Sequence, residues 1–274
     1  MKIIALAVAI PLLTFGAAST AGKHQQTRFF RQYKGTPLKP NASGDPVVVN
    51  AASFLPGVSP GGLATVFGEN LTDVSGVIAA NAVPLPTRLA GVEVDVNGIP
   101  APLYSVAYAD GEDQINFQVP FETDTGPGAA EIDIFSFGVK TASVLADSFT
   151  EDPGIFIYNG YAVAAHADGS LVTPGDPANP GETIVLYTTG LGPVTVDVPD
   201  GFPGPLHPLA YTQDPFQALV AGEQCGVFFS GLAPGFVGLY QLNITLPLDL
   251  PSGSLNVQIA TPYATSGIAK LPVF

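Results

Sequence analysis

The sequence predicts an all-β protein of two small antiparallel β-sandwiches in tandem. Three observations carry that expectation. Sequence landmarks recur in one order at offsets of 120 to 127 residues. Apolar side chains alternate with polar or small ones along many short segments, the period-two pattern of half-buried strands. The 31 glycines and 27 prolines interrupt the chain too often for helices of ordinary length.

The repeat sets the domain count. "QINFQVP" starts at Gln114 and "QLNITLP" at Gln241, an offset of 127. "PGGLATVFGENL" starts at Pro60 and "PGETIVLYTTGL" at Pro180, an offset of 120. "VEVDVNG" ends at Gly98 and "QALVAGE" passes Gly222, an offset of 124. "GPGAAEIDIFSFG" follows the first Gln-Asn segment, and "LPSGSLNVQIATP" follows the second. Loop insertions produce drift of this size. The chain therefore holds two copies of a module of about a hundred residues, a normal domain size. Two copies are fewer than the roughly three that a solenoid needs, so each copy must close its own core.

The strand segments "LATVFG", "VEVDVNG", "QINFQV", "AEIDIFSF", "TIVLYTTG", "QLNITLP" and "LNVQIAT" are rich in Val, Ile, Thr, Phe and Tyr, which suit a pleated surface. Turn clusters such as "TGPGA", "PGDPANPG" and "DGFPGPLHP" separate them. The motif residues Gln114, Asn116 and Pro120 recur as Gln241, Asn243 and Pro247. Each proline lacks a backbone donor, so the ladder should stop there or run along an edge. Ile115, Phe117 and Val119 should face inward, with Leu242, Ile244 and Leu246 as counterparts, while Gln114, Asn116 and Gln118 face outward. Gln114 and Gln241 are expected to satisfy backbone groups where a loop crosses the strand, because an unpaired buried amide costs about 1–3 kcal/mol.

Residues 1–21 read as a signal peptide: Lys2, an apolar run, then Ser19 and Ala21 at the small-residue positions before the cut. No other segment suits a membrane span, so an exported mature chain is expected. Residues 22–46 form a basic arm outside both cores, 47–150 the first sandwich and 151–274 the second. Glu151, Asp152 and Pro153 should make a short, stiff connector, open to proteases as the arm is.

Charge divides the chain. Residues 22–44 carry Lys23, Arg28, Arg31, Lys34 and Lys39 and no acid, a net of +5. Residues 45–274 set three cations against 23 acids, a net of −20. Such a body repels nucleic acid and anionic lipid, which excludes them as expected partners. Arg28, Phe29, Phe30, Arg31 and Tyr33 are a candidate docking segment. It can add as a strand to an edge of its own body, do so on a neighbour and drive self-association, or remain a disordered linker.

The catalytic constellations fail on chemical grounds. Gly57-Val58-Ser59-Pro60-Gly61 matches the nucleophile-elbow string, but Pro60 has no N–H with which to hold an oxyanion. His24, His166 and His207 stand apart and read as solvated loop residues, with no pairing suited to a transition metal. Cys225 is the lone cysteine and reads as a small buried hydrophobe. No phosphate loop or dinucleotide fingerprint occurs, tryptophan is absent, and no aromatic platform for a sugar is evident. Asp110, Glu112 and Asp113 are weak calcium candidates, as are Asp168 with Asp176. No catalytic residue and no cofactor is assigned.

The blocks "VVNAASFLPGVSPGGLATVFGENL", "LPTRLAGVEVDVNGIPAPLYSV", "QINFQVPFE", "GDPANPGETIVLYTTGLGPV" and "FSGLAPGFVGLYQLNITLP" resemble the Solibacter uncharacterised C-terminal domain family, over about residues 47 to 270. The resemblance implies a secreted protein of acidobacterial type whose halves are immunoglobulin-like IPT/TIG modules. It brings no catalytic residues. The expectation is an exported, non-catalytic module for adhesion, surface attachment or extracellular assembly, with an extracellular protein or glycan as partner. The alternative is a carbohydrate-binding module, calcium-assisted through Asp110, Glu112 and Asp113.

Overall fold

The computed structural model describes residues 45–109 and 111–274. The expected signal peptide, the arm with Arg28, Phe29, Phe30, Arg31 and Tyr33, and Asp110 lie outside the described residues.

The first half contains β1 (Val47–Asn50), β2 (Leu63–Gly68), β3 (Gly76–Ala79), β4 (Arg88–Leu89) and β5 (Val92–Val96). It continues with β6 (Ile99–Pro100), β7 (Leu103–Ala109), β8 (Glu112–Gln118), β9 (Gly126–Ser136) and β10 (Val139–Ser148). One sheet runs β1-β2-β8-β7-β3 and the other β10-β9-β5-β4. With the strands lettered A to G, these are the A-B-E-D and G-F-C sheets of an immunoglobulin sandwich, with β3 and β4 as added edges.

The second half contains β11 (Gly154–Ile155), β12 (Ile157–Tyr158), β13 (Tyr161–Ala162), β14 (Ala164–Ala165) and β15 (Thr183–Thr189). It ends with β16 (Gln217–Val220), β17 (Glu223–Leu232), β18 (Tyr240–Thr245), β19 (Gly253–Ala260) and β20 (Ala269–Val273). The order β11-β15-β18-β17-β16-β19-β20 repeats the A-B-E-D and C-F-G runs of the first half without the added edges β3 and β4, and here the two runs are joined. The long β17 pairs with β16 up to Cys225 and with β18 from Gly226 onward, so one strand joins both sheets. The described residues are thus all-β, and two immunoglobulin-like sandwiches stand in tandem.

Alternation accounts for the cores. Val66, Val94, Ile115, Phe117, Ile132 and Ile134 are buried together in the first half. Ile184, Leu186, Leu242, Ile244, Val257, Ile259 and Leu271 are buried together in the second. The two sets share no buried residue; Phe121 of the first half packs against the second core. β8 ends at Gln118 and β18 at Thr245, two residues before Pro120 and Pro247. Both strands are interior, each paired on both sides, so the prolines end the ladder and do not mark an edge.

The matching hairpins show how turn chemistry is met. Asn97 and Gly98 have φ of 53° and 77°, and Ala221 and Gly222 have 52° and 88°. Two positive φ values fit a two-residue hairpin whose twist matches its strands, and Asn-Gly suits it best. Alanine there carries a left-handed penalty of about 1–2 kcal/mol. Ala221→Asn should therefore raise stability by about 0.5–1 kcal/mol, read as a higher denaturant midpoint with unchanged slope.

The connector differs from its expectation. Thr150, Glu151, Asp152 and Pro153 are all buried, because both halves bond to them. The joint is therefore not the exposed connector that its composition suggests.

Candidate functional site: the junction and the outer sheet faces

Residues two apart on a strand share a face. On β8, Gln114 Nε2 donates to Asn116 Oδ1 at 3.2 Å; on β18, Gln241 Nε2 donates to Asn243 Oδ1 at 3.1 Å. The partner of each glutamine is thus the motif's own asparagine and not a crossing backbone, which corrects the expectation. In the first half Asn116 also accepts from Thr65 Oγ1 at 2.7 Å and donates to Ser105 Oγ at 2.9 Å. Thr65, Asn116 and Ser105 face one another across β2, β8 and β7, so one polar row ties three strands. On the motif face, which points away from the core, Gln114, Gln118, Gln241 and Asn243 are buried and Asn116 is half-buried.

At the end of this face the two halves meet. The Leu63 N–H donates to Thr189 Oγ1 at 2.8 Å, and that hydroxyl donates to Gly238 O at 2.9 Å. Tyr104 donates its hydroxyl to Val237 O at 2.6 Å, and burial raises its pKa well above the ordinary tyrosine value, so it remains a donor. The Gly201 N–H donates to Gln118 Oε1 at 2.7 Å, and Gly201 O accepts from Leu85 N at 2.8 Å. Asn50 Nδ2 donates to Asp152 O at 2.6 Å, and Thr261 Oγ1 donates to Glu151 Oε2 at 2.6 Å. The junction is polar, buried and bonded from both sides.

Asp200 makes the junction pH-sensitive. Its Oδ1 accepts from Phe121 N at 3.0 Å, while burial and then neighbouring Glu122 push its pKa up to about 6. A carboxyl with a raised folded-state pKa stabilises fully below its ordinary value, and that contribution is lost as pH rises through about 6. Thermal stability should therefore fall between about pH 4 and pH 7, and Asp200→Asn, which keeps the acceptor without the charge, should flatten the fall. An unchanged slope in Asp200→Asn would refute the assignment.

The other chemistry-bearing side chains are committed to structure. The Ser59 hydroxyl is buried and donates to Thr150 O at 3.1 Å. Asp113 is buried, with Oδ2 accepting from the N–H groups of Leu71 and Thr72 and Oδ1 from the Thr72 hydroxyl. It clamps the exit of β2 and is not free to ligate calcium. Burial, and then Glu69, raise the pKa of Glu112. Asp168 accepts from the N–H and hydroxyl of Ser170. Among the described residues, no three His, Cys, Asp or Glu side chains converge as metal ligands.

His166 is not a solvated loop histidine. Its Nδ1 lies 2.5 Å from Glu182 Oε1 and its Nε2 3.3 Å from Asp176 O. Burial opposes the imidazolium, but these partners outweigh it and raise the pKa. His207 is exposed, and His24 lies outside the described residues. Cys225 is buried, and its burial pushes the thiol up to about 11.

An aromatic surface that the sequence did not disclose lies on β17. The ladder shifts register between Val227 and Phe229, leaving Phe228 as the bulged residue. Its ring lies beside Gly226, where a Cβ would stand 3.3 Å from it, and it is 73% exposed. Beside it the rings of Tyr211 and Phe229 meet at a tilt of 57° with centroids 5.1 Å apart, and Gln213, Asp214 and Ser230 help line a depression of about 310 Å³. The signal for it, two aromatics inside a strand segment, is indistinguishable from core in sequence.

No protein-family model and no curated protein matches the chain. Among solved structures, the mixed-linkage glucan utilization locus protein SGBP-B of Bacteroides ovatus, in complex with a mixed-linkage heptasaccharide, is 12% identical, over 79% of this chain and 43% of that one, with a TM-score of 0.30. The Yersinia pseudotuberculosis adhesin InvE is 12% identical, over 85% and 61%, with a TM-score of 0.22. The I9–I11 tandem of titin is 14% identical, over 79% and 62%, with a TM-score of 0.21. The chain spans less than two thirds of each. The order of its own strands, and not these distant likenesses, defines the class: a tandem immunoglobulin-like β-sandwich protein.

Proposed function

We propose that the chain is an exported, non-catalytic β-sandwich module for adhesion, surface attachment or extracellular assembly. One observation carries this: Ser59, Asp113, His166 and Cys225, the side chains best able to do chemistry, are held in structural contacts, while large apolar side chains stand exposed. The N-terminal signal pattern and the resemblance to the Solibacter family accord with export. A hydrolase screen together with adsorption to whole cells and to cell-wall material tests it. Retention without turnover is the expected result; turnover of any substrate would overturn it, and turnover unchanged by Ser59→Ala would still dismiss Ser59 as the nucleophile.

The exposed Phe228 ring and the polar depression beside it favour a second reading, carbohydrate binding. A flat aromatic face beside amide, carboxylate and hydroxyl groups suits a sugar ring. A glycan array with and without chelator, repeated with Phe228→Ala, checks it. Binding lost in the variant supports this second reading, and loss on chelation adds a calcium requirement.

A further inference from the structure

The two halves repeat the contacts of one pole as well as their strands. In the first half Leu63, Tyr104, Gln118 and Phe121 are among the residues at the pole that meets the second half. Strand register carries each of them onto a counterpart. Leu63 pairs with Gln118, and Thr183 pairs with Thr245, at the same ends of matching strands. Tyr104 is the bulged residue between Leu103 and Ser105, as Phe228 is between Val227 and Phe229. Phe121 follows Pro120 as Leu248 follows Pro247.

The local packing repeats too. A Cβ on Gly61, at φ +73°, would lie 2.0 Å from Phe121, and one on Gly181, at φ +79°, would lie 2.6 Å from Leu248. Phe121 thus folds over its glycine and packs against the second core, and Leu248 folds over its own and is buried by none of the described residues. Leu248 is 83% exposed and Phe228 73%, among the most exposed large apolar side chains of the described residues.

The receiving pole has a counterpart as well. The second half receives the first on Gly190 and Gly238; Leu63 packs on Gly238, and the Asn50 amide and Gly62 pack on Gly190. Their counterparts by repeat offset are Asn70, also left-handed at φ 57°, and Gly111, with open space where a Cβ would stand. Tyr108 and Val77 stand exposed near them. Pro46 packs against this end at Gly68, so the basic residues 22–44 join the body here, opposite in sign to the acidic body of any copy that docks.

We propose that Phe228 and Leu248 dock on the Asn70–Gly111 pole of a second copy of the chain, continuing head to tail the order that the two halves keep within one chain. This rests on the assembly reading above and names its partner. Such a contact is heterologous and builds open chains or rings.

Light scattering of the mature chain over a range of concentrations tests it, with a knob variant (Phe228→Ser with Leu248→Asp) and a pole variant (Tyr108→Lys). All three positions are exposed, and circular dichroism confirms that each variant folds. The wild-type mass should rise past that of a dimer, and each variant alone should stay monomeric. The two variants mixed should form dimers and nothing larger, because one intact knob and one intact pole remain. A wild-type chain that stays monomeric at high concentration overturns the proposal, as does one that stops at a dimer with no complementation in the mixture. Either result leaves the adhesion reading to its own adsorption assay.

Discussion

Gly190→Ala should destabilise the protein by more than about 3 kcal/mol, the range reserved for substitutions with an identifiable steric cause. A Cβ at this position would lie 2.2 Å from the carbonyl oxygen of Asp152 and 3.0 Å from its carbon. The obstacle is backbone and cannot turn aside as a side chain would. Gly190 also holds φ +74°, which adds about 1–2 kcal/mol for any residue with a Cβ. The clash falls where the Asp152 N–H donates to Gly190 O at 2.8 Å, so relieving it breaks that bond. Chemical denaturation measures the loss; a variant within about 1 kcal/mol of the wild type would show that the junction yields easily.

Asn50→Ala should be comparably damaging, at about 3 kcal/mol or more, and should split the unfolding transition in two. The buried Asn50 Oδ1 accepts from the N–H groups of Ala52 and Ser53 at 2.9 and 3.0 Å, while Nδ2 donates to Asp152 O. Truncation leaves two buried backbone groups, Ala52 N–H and Asp152 O, and the half-buried Ser53 N–H unpaired, the buried ones worth about 1–3 kcal/mol each and not strictly additive. Because the two cores share no buried residue, a loosened junction frees each sandwich to melt at its own midpoint. Asn50→Asp tests the donor alone: it keeps the acceptor oxygen but sets a carboxylate against the Asp152 carbonyl. One transition with an unmoved midpoint in both variants would mean that Asn50 is not what couples the halves.

The all-β class and the repeat of matching strand segments were legible because alternation and turn chemistry are local properties. "LATVFG" and "TIVLYTTG" could be assigned as matching strands without knowing what either one touches. What covers a face is not local. Gln118 sits in the same alternation as Asn116, yet one bonds to neighbouring strands and the other to Gly201 in the second half. The Gln-Asn bond itself was within reach, since two polar residues two apart on an interior strand must share a face and reach each other. The connector misled because Glu, Asp and Pro usually mark solvent. Here the Glu151 carboxylate has Thr261 for a partner, and the Asp152 backbone is bonded on both sides of the junction. Phe228 was hidden for a different reason: a bulge reverses which side a residue faces, and no propensity reports it.

The buried connector has a mechanical consequence. A tether between two beads stretches first, and it spares the beads until its slack is used up. Thr150 to Pro153 offer no slack, because they are held on both sides. Tension applied across the pair is passed directly to Asn50, Tyr104 and Gln118, which lie off the direct line of the chain and carry load in parallel with it. The joint should part before either sheet unravels, and on release it can re-form from two intact surfaces, so the pair would act as a resettable mechanical fuse.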